Sequence, residues 1–132
     1  MINEHDFTIR LLEVFRVEAQ GHRQAMLSAL RELEKGEADA EYEANALERS
    51  FRAAHTLKGA ARAVNNGEVA DLCQTLESIF SLVKNGRGRL TQKMFGSFYE
   101  AIETIEKMEA GSGDSDSTLN SRLNDIRGAL DG

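Results

Sequence analysis

The chain has 132 residues, enough for one domain with a real core and too few for two ordinary ones. Sixteen Lys and Arg against 22 Asp and Glu leave a net charge of −6, which argues against nucleic acid as main partner, as does an aromatic content of 6% without Trp. No stretch has the roughly 18 apolar residues of a membrane span, the N-terminus lacks a signal-peptide pattern, and the lone Cys73 excludes a disulfide framework or thiolate zinc cluster; a cytoplasmic, reducing setting away from membranes is the expectation.

Apolar residues recur at helical spacing in five segments, and nowhere is a two-residue alternation sustained. The absence of proline also favours helices joined by Gly, Asn and Ser turns. The first helix carries Leu12, Phe15, Ala19, His22, Met26, Ala29, Leu30 and Leu33. Asn3 with Asp6 marks its start, Ile2 and Phe7 are placed as a hydrophobic staple, and Glu34-Lys35-Gly36 reads as its C-terminal cap. After a polar connection, Glu37 to Ala40, the second helix runs from about Tyr42 to Val64 with Leu47, Phe51, Ala54, Leu57, Ala61 and Val64 on one face.

The third helix is expected to start at an Asn65 N-cap, with Glu68 at the capping-box position and Val64 and Val69 as staple. Its stripe is Val69, Leu72, Leu76, Ile79 and Val83, ended by Asn85-Gly86-Arg87-Gly88. The fourth follows a Thr91 cap flanked by Leu90 and Phe95, with Phe98, Ile102 and Ile105 continuing its stripe. Residues 111–118 have the composition of a flexible linker, and 119–132 form a last helix with Leu119, Leu123, Ile126 and Leu130. The expected fold is all-α: an antiparallel up-down four-helix bundle over residues 1–110, with an additional short C-terminal helix that either docks on it or leads elsewhere.

Much chemistry is excluded by spacing. A di-metal bundle needs Glu-x-x-His pairs, and none exists, so no metal site is expected. The phosphate loop, the dinucleotide fingerprint and the nucleophile elbow are all absent. Three histidines remain. His5 falls in a first turn and reads as solvated, whereas His22 lies on an apolar stripe and reads as a core or boundary residue.

His55 is different. At about 100° per residue it stands roughly 115° from the centre of its helix's apolar arc, on the exposed flank. Arg52, Lys58, Gly59 and Arg62 lie one or two turns away on that side. Positions 48 to 63 hold Arg49, Arg52, Lys58 and Arg62 against Glu48, a local balance of +3. Gly59 in a helix interior costs about 1 kcal/mol relative to Ala, which suggests a need for space beside the imidazole. Two readings stand at this point. His55 is an ordinary surface histidine on a solvated charged face, or it is a nucleophile for a phosphoryl group with Lys58 offsetting the new charge.

The run His55-Thr56-Leu57-Lys58-Gly59-Ala60-Ala61, preceded by Phe51-Arg52-Ala53-Ala54, resembles the phosphorylation signature of histidine phosphotransfer (HPt) domains. It is closest to the N-terminal phosphotransfer domain of chemotaxis-type (CheA-like) histidine kinases, and the order of helices follows that family over nearly the whole chain. The resemblance implies that His55 carries the phosphoryl group on Nε2, that Glu77 of the third helix orients the ring through Nδ1, that Lys58 holds the phosphoryl oxygens and that Gly59 gives a partner access. Arg52, Arg62 and Gln74 are the implied partner-facing residues. Gln74 stands where many chemotaxis kinases have a second histidine, and unlike His it cannot titrate.

The implied function is a phosphorelay carrier in two-component signalling. The donor would be the ATP-bound catalytic domain of a histidine kinase, in cis or in trans, and the acceptor an aspartate of a response-regulator receiver. No cofactor is expected in this chain, since ATP and Mg²⁺ belong to those partners. The isolated domain is expected to be a monomer excised from a larger kinase. The competing reading is a non-catalytic helical adaptor that binds through an apolar patch, with His55 incidental.

Overall fold

Short polar side chains set the helix starts. Asn3 accepts from the backbone N–H of Asp6 at 2.8 Å, Asp39 accepts from that of Tyr42 at 2.8 Å, and Asn66 accepts from that of Val69 at 3.2 Å. The structure is a computed structural model that describes residues 3–36, 39–111, 113 and 117–131. It contains α1 (Glu4–Lys35), α2 (Ala40–Ala63), α3 (Gly67–Lys84), α4 (Gln92–Glu109) and α5 (Ser117–Asp131), with no strand among the described residues. The fold is the expected all-helical one. None of these helices is long and apolar enough to cross a membrane.

Bonds between helices define the register. Glu32 of α1 pairs with Tyr42 and Arg49 near the start of α2, and Arg23 and Glu34 of α1 reach Glu109 and Tyr99 of α4. Asn66 at the head of α3 donates to the Met108 carbonyl at the foot of α4. Each pair therefore runs antiparallel, and α1 to α4 close into a bundle. The core is one cluster centred on Phe80 and Phe98, edge to face with centroids 5.5 Å apart, and surrounded by Met26, Leu30, Leu57, Leu76 and Ile105.

Besides an α2 that starts at Ala40 instead of about Tyr42, the structure corrects the expected boundaries in three places. The first is the α2–α3 turn, where Asn65 is not the N-cap but adopts a left-handed φ of 59°. Its N–H donates to the Arg62 carbonyl and that of Asn66 to the Ala61 carbonyl, so Asn65 closes α2 in a Schellman motif. The cap of α3 passes to Asn66, and Glu68 moves off the capping-box position. Val69 is fully buried and Val64 partly so.

The second is α1, whose stripe is buried only from Phe15 onward. With 32 residues against 24 in α2, it is about 48 Å long against about 36 Å, so its first two turns outrun α2. Leu12 is consequently exposed, as are Phe7, Ile9, Leu11, Val14 and Val17. Phe7 therefore packs as no staple, and its expected partner Ile2 lies outside the described residues. The third is α5, which begins at Ser117 rather than Leu119. Leu119, Leu123 and Leu130 are buried, Arg122 pairs with Glu100 of α4 at 2.6 Å, and Leu130 lies against Gly88 in the α3–α4 turn. The fifth helix thus docks on the bundle. Of the expected linker, Ser112 and Asp114 to Asp116 lie outside the described residues.

Candidate phosphoacceptor site

The α2–α3 hairpin brings His55 and Glu77 level with each other. Leu57 and Ala61 anchor one side of α2, and Leu76 and Ile79 anchor α3, all fully buried. That packing leaves His55 facing out, with its side chain 61% exposed, and tucks Glu77 into the seam with 12% exposed. His55 Nδ1 lies 2.7 Å from Glu77 Oε1. The other carboxylate oxygen, Oε2, forms an ion pair with the Lys58 ammonium, whose side chain is 11% exposed.

Burial pushes the Glu77 carboxyl up, but its bonds to Lys58 and His55 outweigh this and hold it below the usual carboxylate range. An ionised carboxylate only accepts hydrogen bonds, so Nδ1 must be the protonated nitrogen of His55. Nε2 is then left with its lone pair, in the outward-facing part of the ring.

Lys58 Nζ also donates to Gln74 Oε1 at 3.0 Å, and Gln74 Nε2 donates to Ser78 Oγ at 3.1 Å. Gln74 thus extends the network without adding a titratable group. A Cβ added at Gly59 would meet nothing within 4 Å. Packing within this chain therefore does not require a glycine there.

The expected basic strip is largely neutralised. Arg49 pairs with Glu32, Arg52 with Glu48 at 2.7 Å, and Lys58 with Glu77. Arg62 is exposed and has no ion pair among the described residues. Glu77 approaches neither Lys84 nor Arg62; Lys84 pairs with Glu48 instead.

The sequence reading did not give the site three neighbours that the structure supplies. Phe51 stacks on the His55 ring with centroids 6.1 Å apart and planes 12° from parallel. Lys84 sits 4.1 Å above the Phe51 ring centroid. Arg127 of α5 joins Phe51, Gln74, Glu77 and Ser78 around a groove of about 390 Å³. The i, i+4 spacing of Phe51 and His55 was the available signal. Cys73, next to Gln74 in sequence, is buried, and burial pushes its thiol up to about 12, so it is a packing residue and not a thiolate nucleophile.

Comparisons with known proteins identify the family. The chain is 31% identical to the chemotaxis protein CheA of Bacillus subtilis (strain 168) over 123 residues, covering 89% of this chain and 18% of that protein. It is 30% identical to the chemotaxis protein CheA of Halobacterium salinarum over 124 residues, covering 91% of this chain and 18% of the relative. For the chemotaxis protein CheA of Borreliella burgdorferi the identity is 27% over 120 residues, with coverages of 91% and 13%. The chain thus spans less than a fifth of the length of these relatives. No solved structure gives a significant match. The family model described as "Hpt domain" matches residues 10–129, nearly the whole chain, which therefore belongs to the Hpt family of phosphotransfer carriers in two-component signalling.

Proposed function

We propose that His55 is the phosphoacceptor, taking a phosphoryl group at Nε2 from the ATP-bound catalytic domain of a histidine kinase and passing it to a receiver aspartate. The single observation that carries this reading is the 2.7 Å contact between Nδ1 and Glu77 on an otherwise exposed ring. In the first step the Nε2 lone pair attacks the γ-phosphorus, the N–P bond forms, and the P–O bond to ADP breaks. The ring becomes a phosphoimidazolium that keeps its proton on Nδ1, and Glu77 offsets that charge. In the second step a receiver carboxylate oxygen attacks phosphorus, the N–P bond breaks, and the imidazole returns to its starting tautomer.

Positioning and charge do most of the work in such transfers. Lys58, three residues from His55, keeps Glu77 ionised and offsets negative charge on the incoming group. Gly59 leaves the approach open, which gives a use to a glycine that nothing inside the chain requires. Arg62 is positioned to meet an acidic partner surface, and Arg52 and Gln74 border the same face. The nucleotide and the metal belong to the partner domains, so this chain needs no cofactor of its own. The kinase domain acts in cis or in trans, and the buried thiol of Cys73 suits a reducing cytoplasm.

Intact-mass measurement after exposure to phosphoramidate tests this directly. One acid-labile phosphoryl adduct on the native chain, absent from His55→Gln, is expected. A second reading as a helical adaptor has one observation behind it, the run of exposed apolar side chains from Phe7 to Val17 on α1. An adduct that persists in His55→Gln, or none on the folded native chain, would favour the adaptor.

A further inference from the structure

One hydrogen bond fixes where an imidazole nitrogen lies but not the plane of its ring. The contact between Nδ1 and Glu77 leaves the His55 ring free to swing about that axis, and at 61% exposure the side chain has little surrounding packing to stop it. A second constraint comes from Phe51, one turn earlier on α2, whose ring is 12° from parallel to the imidazole. Phe51 is only half-buried, so it needs support of its own.

That support crosses from the last turn of α3. The Lys84 ammonium lies 4.1 Å from the Phe51 ring centroid and is tied to Glu48, which also accepts from Arg52 at 2.7 Å. Hydrogen bonds from Lys84 and then Arg52 hold Glu48 below the usual carboxylate range, which keeps the anchor charged at neutral pH. No residue of this array bonds to the nitrogens of His55. It bears on the ring through Phe51.

We propose that Phe51 is a positioning residue for His55 and that Lys84, anchored on Glu48, holds Phe51 in place, so that Nε2 is presented in one direction. The kinetic consequence rests on the phosphocarrier reading, whereas the claim about ring order does not. Orientation of this kind affects the rate of attack and not the identity of the nucleophile.

The test uses the whole chain, phosphoramidate as donor, and ¹³C relaxation of the His55 ring. Phe51→Leu, which keeps apolar bulk but removes the ring, is expected to slow labelling about tenfold and to lower the imidazole order parameter. Lys84→Met is expected to slow labelling about threefold and to lower the same order parameter although Phe51 is still present. Phe51→Tyr and Lys84→Arg should restore both. Labelling at the native rate in Phe51→Leu overturns the proposal. So does slower labelling with an unchanged order parameter, which would reveal a merely structural loss. If the native chain is not labelled at all, the phosphocarrier reading fails, and the order parameters still decide whether Phe51 positions the ring.

Discussion

Glu77 serves two donors at once, Nδ1 of His55 through Oε1 and the Lys58 ammonium through Oε2. Because its folded pKa lies below the unfolded one, it contributes stability that is fully present at neutral pH and is lost as pH falls through the depressed folded value. Glu77→Gln should cost about 1–3 kcal/mol at pH 7, since it leaves the Lys58 ammonium largely buried without its carboxylate. That difference from the native chain should shrink towards pH 3 in urea titrations; a penalty independent of pH would mean that packing, not charge, is at stake. At this scale much of the site was legible. The exposed flank of His55 follows from helical spacing, whereas Glu77 was legible only through the resemblance to HPt domains. Phe51 could not be assigned a task, because i−4 from His55 also lies on its helix's apolar stripe. Lys84 could not be paired from sequence, because its partner Glu48 belongs to another helix, where only tertiary register decides.

At the level of the element, the α2–α3 turn is the informative segment. Asn65 holds a φ of 59°, a region that suits Gly and tolerates Asn. Asn65→Gly should be neutral or slightly stabilising, while Asn65→Val should cost about 1–2 kcal/mol from the clash of a branched side chain in that region. Asn66→Ala should cost about 1–2 kcal/mol, because the side chain caps Val69 N–H and also donates to the Met108 carbonyl. Urea unfolding midpoints separate the three, and equal losses for Asn65→Gly and Asn65→Val would contradict the left-handed assignment. Sequence alone placed the cap one residue early for a physical reason: adjacent asparagines are both good caps and both tolerate positive φ. Only the closing bonds to Ala61 and Arg62 distinguish them.

Across the whole molecule, periodicity revealed five helices and their order but not their relative reach. An apolar stripe looks alike whether the facing helix extends alongside it or stops short, so the exposed turns at the head of α1 were unforeseeable. The stripe of Leu119, Leu123 and Leu130 likewise reads the same for docking here or elsewhere, and the buried leucines decide it. Leu123→Ala should cost about 2–5 kcal/mol, as expected for a fully buried leucine and unlike the small loss of a loosely attached tail. Native-state hydrogen exchange should show the middle of α3 and α4 opening only by global unfolding, while amides of the first three turns of α1 exchange far sooner. Uniform protection along α1 would mean that another surface covers those turns.

Asn66 lies midway along the chain between His55 and Glu77, whose numbers differ by 22. The hairpin therefore works as a ruler, with its zero mark at the turn and the hydrogen-bonded pair at equal readings on either arm. A residue lost from α2 after His55, or from α3 before Glu77, would rotate one arm by about 100° and carry the carboxylate off the imidazole. Extra residues placed in the turn itself, between Val64 and Asn66, would leave both arms in phase. Tolerance to length change along this hairpin should thus be confined to the bend, a restriction imposed by helical phase even where no side chain touches the chemistry.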